Sequence, residues 1–325
     1  MHNTFGIDAK AARYIDFSTE VELAALLQKR EPGAPLLVIG GGSNLLFVDD
    51  FKGTVLHSSI SDISVVAEDD ENVHLRVGSG VNWDSLVEYT VNNGWCGLEN
   101  LSLIPGEVGA SAVQNVGAYG VEAGDLIVKV EAHSIENGDK YTFSNEDCDY
   151  GYRTSLFKQE AKGKFVITYV TYRLKKSAEF KLGYGNLKER VDALGGATLA
   201  NVRRAVCEIR TEKLPDPLEI GSAGSFFMNP IVSVQKAADL AGKYPTMPQY
   251  KVADGVKLSA GWLIEQCGWK NTPHERVGVY KNQALVVVNR GGATGADVLA
   301  FATAVCSSVE ERFGVELKME VNVIG

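Results

Sequence analysis

Five places in the chain hold residue types whose spacing could do chemistry. Gly40-Gly41-Gly42-Ser43-Asn44 places three successive glycines at the end of an apolar run, PLLVIG (35–40). Such a run can turn several backbone N–H groups inward and make a nest for a pyrophosphate without any basic side chain. A second tract, PGEVGASAVQNVGAYG (105–120), carries Gly106, Gly109, Gly117 and Gly120 among small residues, so its backbone can approach a ligand closely. Arg153, in Tyr150-Gly151-Tyr152-Arg153, offers a planar cationic fork that suits a carboxylate. Ser225 lies between Gly224 and the bulky pair Phe226-Phe227, an odd setting for a structural serine, and Glu320 adds a carboxylate near the last residues. Each has a plain alternative: a tight turn for the glycines, a surface position for Arg153, a solvated carboxylate for Glu320. Two glycine tracts in one half of the chain weigh toward a ligand.

Several other chemistries find no support. GxGxxG beginning at Gly40 would need glycine where Leu45 stands, and strand rather than helix signals follow it. No GxxxxGKS/T phosphate loop occurs, and neither Gly109-Ala110-Ser111-Ala112-Val113 nor Gly221-Ser222-Ala223-Gly224-Ser225 completes GxSxG. His2, His57, His74, His133 and His274 are scattered without HExxH, so the histidines are expected to be surface or packing residues. A net charge of −9, from 32 Lys+Arg against 41 Asp+Glu, is the wrong sign for a general binder of nucleic acid or anionic membranes. Any anionic ligand must be held locally.

The elements that position these residues can be read from periodicity. The length of 325 residues exceeds the ~100–200 of one ordinary domain and predicts two compact units. Thr19 and Glu22 have capping-box spacing before a helix over 19–30. PLLVIG reads as a short, fully apolar, buried strand, and more strand is expected through 45–48, 53–57 and 73–78. A helix starts near Asn82 and closes at Gly94. Strands recur over 126–134 and 165–174, with a turn at Asn137-Gly138-Asp139, so this half is a β-rich α+β unit. From about residue 200 helices are expected over 201–212 and 259–267, a strand over 284–289, and a final helix capped by Thr294 and stopped by Gly314. In the tail, Val315, Leu317, Met319, Val321 and Val323 alternate with polar residues, as in one half-buried strand. The five cysteines, Cys96, Cys148, Cys207, Cys267 and Cys306, form no CxxC and fit a reducing compartment. With no secretory leader and no ~18-residue apolar span, a cytoplasmic location is expected.

NTFGID (3–8), GGGSNLLF (40–47), GLENLSLIPGEVGASAVQNVGAYG (97–120), YGYRTSLFK (150–158), KLPDP (213–217), GSAGSFFMNP (221–230), NQALVVVN (282–289) and the terminal MEVNVIG together resemble the UDP-N-acetylenolpyruvoylglucosamine reductase (MurB) family of bacterial cell-wall synthesis. The resemblance spans nearly the whole chain in the family's motif order. It implies an α+β fold: a two-part FAD-binding fold of the vanillyl-alcohol-oxidase (PCMH) type plus an α+β substrate-binding domain. The expected division is residues 1–62 with 315–325 as the first FAD-binding subdomain, 63–200 as the second, and 201–314 as the substrate-binding domain.

The implied reaction uses NADPH to reduce noncovalent FAD, then reduces UDP-N-acetylglucosamine enolpyruvate to UDP-N-acetylmuramate. The flavin would deliver hydride to the terminal vinyl carbon and Ser225 a proton to its neighbour, with Arg153 and Glu320 polarising the enolpyruvyl carboxylate. A neutral Glu320 would require a desolvated site. Tyr184 in KLGYGNL, Lys213, Asn229 and Gln283 match positions that grip the sugar nucleotide, with Tyr184 on a mobile lid, and Tyr119 is expected near the site. Flavin contacts are expected from Gly40, Gly41, Gly42, Ser43 and Asn44 at the pyrophosphate, and from Gly106, Gly109, Ser111, Gln114, Asn115 and Gly117 nearer the ring. The implied partners are the small-molecule substrate and NADPH, with no nucleic acid and no membrane insertion, and the implied state is a monomer. Two rival readings remain. A flavin oxidase on the same scaffold needs no serine proton donor; a catalytically silent flavin- or nucleotide-binding protein has no reason to keep Ser225, Arg153 and Glu320 together.

Overall fold

The computed structural model describes residues 2–271 and 275–325, so His274 lies outside the described residues. The chain divides into two compact units, one of residues 11–41 and 52–210, the other of residues 1–10, 42–51 and 211–325.

The first of these is built on a five-stranded antiparallel sheet in the order Lys140–Ser144, Ile127–Ser134, Phe165–Lys175, Asn72–Gly78, Ile63–Glu68. Val73, Leu75 and Val77 alternate onto the core face with Val130 and Val170, all of them fully enclosed. The helix Trp83–Asn92 covers that face because Asn82 caps it, accepting from the Ser85 amide at 3.0 Å. Trp83 packs edge-on against Tyr172 at 6.1 Å, and its indole donates to the Leu101 carbonyl. A smaller sheet places Phe51–Ser58 between Ala11–Phe17 and the parallel strand Leu36–Ile39. The helix Glu20–Gln28, capped by Thr19, buries Leu23 and Leu27 against Phe17 and Val166.

Two expectations for this unit differ from the structure. Leu36–Ile39 is not a buried strand: it forms an edge, with Val38 37% exposed, because the central strand takes the enclosed place with Val55 and Leu56. The second glycine tract is not only a loop. Val108–Gln114 forms a short helix whose small residues let it lie against the sheet; a Cβ on Gly109 would stand 2.8 Å from the Ser79 Cβ. Asn115, with φ 46°, ends it in the left-handed region.

The other unit has a sheet ordered Gly221–Ser225, Gln283–Asn289, Val277–Tyr280, and a second ordered Ile231–Val232, Gly255–Leu258, Gln249–Val252. Leu45–Phe47 pairs in parallel with Asn322–Ile324. Helices Val234–Lys243, Ala260–Gln266 and Gly295–Phe313 complete it. The last buries Val298, Ala302, Val305 and Val309 as its 3.6-residue period requires. The tail departs from the single alternating strand expected. Val315, Leu317 and Val321 are buried, but Val323 is 39% exposed and only Asn322–Ile324 is strand. Residues 318–320 pair with 226–228, after which the chain changes partner to 45–47, and the alternation breaks at that change.

Thr294 and Asp297 complete a reciprocal capping box at the final helix. Thr294→Ala should therefore lower stability by about 1 kcal/mol, read as a shift in denaturant midpoint at unchanged slope.

Candidate functional site

Ser225 owes its setting to one extra residue. Pairing with the neighbouring strand runs Ser222↔Val288 and then Ser225↔Val286, so the strand bulges, with Gly224 at φ 66° taking the left-handed conformation. A bulge re-aims the side chain that follows it. Ser225 is half-buried, and among the described residues its hydroxyl has no hydrogen-bond partner. The next residues pair with the tail: the Glu320 amide donates to the Phe226 carbonyl at 2.8 Å, and the Met228 amide to the Lys318 carbonyl at 2.9 Å. Two residues from distant parts of the sequence, Ser225 and Glu320, are thus held on adjoining backbone segments. Asn44 locks the same place, its carboxamide donating to the Glu320 carbonyl at 3.2 Å and its own carbonyl accepting from the Asn322 amide.

Asn229 and Gln283 converge on the first turn of the helix Ala260–Gln266. The Asn229 Oδ1 accepts from the Ala260 amide at 3.0 Å, which leaves its NH2 group to donate elsewhere. A Cβ on Gly261 would stand 3.1 Å from the Gln283 Oε1. Lys213 is exposed, and its neighbour Glu212 accepts through its carbonyl from the Asn282 side chain, next to Gln283. All of these lie in one unit with Ser225 and Glu320.

Arg153 belongs to the other unit and is described within it. Its φ of 56° is left-handed, unusual for a residue with a Cβ, in a tight turn closed by Gly151 and Thr154. The guanidinium donates to the Gly117 carbonyl at 2.6 Å, lies 3.9 Å from the Glu122 carboxylate and stands 5.2 Å over the Tyr152 ring. Gly117 is closely enclosed, since a Cβ there would stand 2.9 Å from the Glu122 Cγ and 3.0 Å from the Val121 carbonyl oxygen. Asn115 organises this corner: 1% exposed, it donates to Glu122 and to the Gly151 carbonyl and accepts from the Gly124 amide. Lys158 bridges Gln114 and the Arg153 carbonyl. Ser111 is buried, donating to the Val108 carbonyl and meeting the Tyr172 hydroxyl at 3.1 Å. Ser111 and Asn115 thus spend their side chains on the shape of the tract.

Tyr119 and Tyr184 meet edge-on at 5.8 Å, with Tyr184 54% exposed. Asn100 joins their two segments, its amide donating to the carbonyls of Tyr119 and Lys181. Burial pushes the Tyr119 phenol up. Sequence reasoning missed Arg210 here. Burial pushes its guanidinium down and nearby Arg153 adds to that, while Tyr119, Cys207 and Asp84 oppose it. Its position three residues before Lys213 on a helix was the only signal.

The two glycine tracts touch. A Cβ on Gly41 would stand 3.4 Å from the Gly106 Cα, and one on Gly40 3.2 Å from the Ala110 Cβ. Gly42 is buried with φ 65°, and a Cβ there would run into the His2 carbonyl. Among the described residues the amides of Gly41 and Gly42 donate to no protein acceptor. Orphan N–H groups on a bare backbone fit a pyrophosphate-bearing cofactor.

These features define an FAD-binding protein of the α+β class: residues 11–144 match the family described as FAD binding domain, and FAD is the cofactor. Residues 216–324 match the C-terminal domain of UDP-N-acetylenolpyruvoylglucosamine reductase. The chain is 51% identical over 324 residues to the UDP-N-acetylenolpyruvoylglucosamine reductase of Bacteroides fragilis (strain YCH46), covering 99% of this chain and 97% of that one. It is 47% identical over 329 residues to the enzyme of that name from Porphyromonas gingivalis (strain ATCC BAA-308 / W83), covering 99% and 96%. The crystal structure of UDP-N-acetylenolpyruvylglucosamine reductase (MurB) from Thermus caldophilus superposes with a TM-score of 0.70 at 23% identity, over 100% of this chain and 96% of that one, a likeness of fold. This chain belongs to the UDP-N-acetylenolpyruvoylglucosamine reductase family.

Removing the carboxamide of Asn115 strands the Gly124 amide, the Gly151 carbonyl and the Glu122 carboxylate. Asn115→Ala should cost about 2–3 kcal/mol of stability, measurable by chemical denaturation.

Proposed function

We propose that the protein reduces UDP-N-acetylglucosamine enolpyruvate to UDP-N-acetylmuramate, a step of peptidoglycan precursor synthesis, with NADPH as the reductant and FAD held noncovalently. The observation that carries this reading is the bulge, with the pairing of residues 226–228 to the tail, that holds the Ser225 hydroxyl beside the Glu320 segment. An oxidase would have no use for that hydroxyl.

Bound FAD would supply the redox chemistry, the passage of a hydride from NADPH to the substrate. The vinyl group gains that hydride at its terminal carbon and a proton at the adjacent carbon, and NADPH leaves as NADP+. The remaining work is positioning and electrostatics. Hydride addition pushes negative charge onto the substrate carboxylate, so a planar guanidinium there stabilises the transition state more than the ground state. Arg153 suits that role because the Gly117 carbonyl already fixes its fork, which reduces the rotamer entropy lost on binding. Glu320 shares the same carboxylate, and Ser225 gives its proton to the carbon next to it. A hydroxyl is a weak acid, but a strongly basic carbanion needs only a weak acid in fixed geometry.

Tyr119, Tyr184, Lys213, Asn229 and Gln283 hold the sugar nucleotide, Tyr184 from a segment that closes over it. Gly40, Gly41, Gly42, Ser43 and Asn44 receive the cofactor's pyrophosphate; Gly106, Gly109, Ser111, Gln114, Asn115 and Gly117 frame the flavin. In this reading residues 1–62 with 315–325 and residues 63–200 form the two FAD-binding subdomains, and residues 201–314 the substrate-binding domain. No helix among the described residues is long and apolar enough to cross a membrane, and we assign the protein to the cytoplasm as a monomer.

Ser225→Ala should leave the NADPH half-reaction intact while slowing formation of the lactyl ether by about 10²–10⁴ or more, as read by stopped-flow absorbance for the first step and product assay for the second. Equal loss in both steps would refute the serine's role. Arg153→Lys should also impair the second step, since an ammonium cannot reproduce the planar fork.

A further inference from the structure

His57 is neither a surface nor a packing residue. It is the last residue but one of the central strand of the smaller sheet, its side chain is 18% exposed, and both ring nitrogens face carboxylates. Nδ1 lies 2.6 Å from Asp16 Oδ1, and Nε2 lies 3.0 Å from Glu107 Oε1. An imidazole can donate from both nitrogens only when doubly protonated. The Glu107 hydrogen bond, and behind it that of Asp16, outweigh burial and raise the His57 pKa to about 9. The Tyr14 ring stacks on the imidazole at 6.3 Å and its hydroxyl donates to Asp16; burial first and Asp16 next push that phenol up to about 12. The neighbouring strand Leu36–Ile39 presents no ionisable side chain.

The far side of Glu107 gives this cluster a function. Glu107 opens the helix of the second glycine tract without capping it, and its Oε2 lies 3.2 Å from the place of a Cβ on Gly40. Its Oε1 lies 3.8 Å from that place on Gly41. A carboxylate therefore supports the loop whose orphan amides suit a phosphate. Left uncompensated, that charge would repel the ligand the loop is shaped to take.

We propose that His57, held as an imidazolium between Asp16 and Glu107, is a positioning residue for the cofactor: it neutralises the carboxylate beneath Gly40-Gly41 so that the loop can receive an anionic pyrophosphate. The inference rests on the reading that this loop is where FAD's phosphates bind. His57 does not touch the ligand; it acts through Glu107. Because the pKa is raised in the folded protein, the cation is fully present below the ordinary histidine range. It is lost as pH rises through about 9, so FAD retention should be flat through neutral pH and weaken above that point.

The test follows FAD release from diluted holoprotein by the gain in flavin fluorescence, with wild type, His57→Gln, Glu107→Gln and the double variant. His57→Gln should bind FAD about tenfold more weakly, the scale of one uncompensated neighbouring charge. The double variant, with both charges removed, should recover most of that loss, which a merely structural role would not allow. Glu107→Gln should abolish the weakening of wild type above pH 9, an arm that needs no folded His57→Gln protein. Unchanged retention in His57→Gln, a double variant as weak as the single, or the same alkaline weakening in wild type and Glu107→Gln would overturn the inference alone. Wild-type protein that binds no FAD would instead overturn the cofactor reading on which it rests.

Discussion

The backbone pairing of residues 226–228 with 318–320 is the constraint on which the candidate site depends. It joins the GSAGSFFMNP segment to the tail, and the tail in turn pairs with Leu45–Phe47, directly after the first glycine tract. Three segments far apart in the sequence are thereby fixed in one unit. The bulge at Gly224 then has a consequence for a single side chain, that of Ser225. Neither feature supplies much stability by itself. Together they give a weak acid the fixed geometry that alone could make it useful.

An acidic chain that binds an anionic cofactor must solve an electrostatic problem locally. Here the solution is backbone rather than surplus lysine: small residues let the two tracts approach until Gly41 meets Gly106, and the amides of Gly41 and Gly42 are left with no protein acceptor among the described residues. The carboxylate of Glu107 beneath that loop runs against this logic until His57 is counted with it. The Arg153 corner shows the same economy. One buried carboxamide, Asn115, satisfies three neighbours and holds the turn that puts a guanidinium in a left-handed residue.

Much of this was legible in the residues. Thr19, Asn82 and Thr294 announced helix starts because a capping side chain has a fixed offset from the amide it accepts. Gly94 and Gly314 announced ends for the matching reason. Less legible was anything decided by tertiary pairing. PLLVIG reads as buried, yet burial is set by which strand takes the middle of the sheet, and that place fell to Phe51–Ser58. The tail alternates, yet its partner changes along its length. Ser111 and Asn115 drew notice as residues of the glycine tract, but their inward hydrogen bonds were invisible in spacing. His57, Asp16 and Glu107 are 41 and 50 residues apart, so their cluster had no sequence signature at all.

The proposed reaction requires that a flavin be coupled to an enolpyruvyl double bond. The most direct measurement is the absorbance of the bound flavin under anaerobic conditions. NADPH should bleach it, and the yellow colour should return only when enolpyruvyl-UDP-N-acetylglucosamine is added, with one lactyl ether formed per flavin reoxidised. Recovery at an equal rate with oxygen alone, or no recovery with the enolpyruvyl substrate, would contradict it.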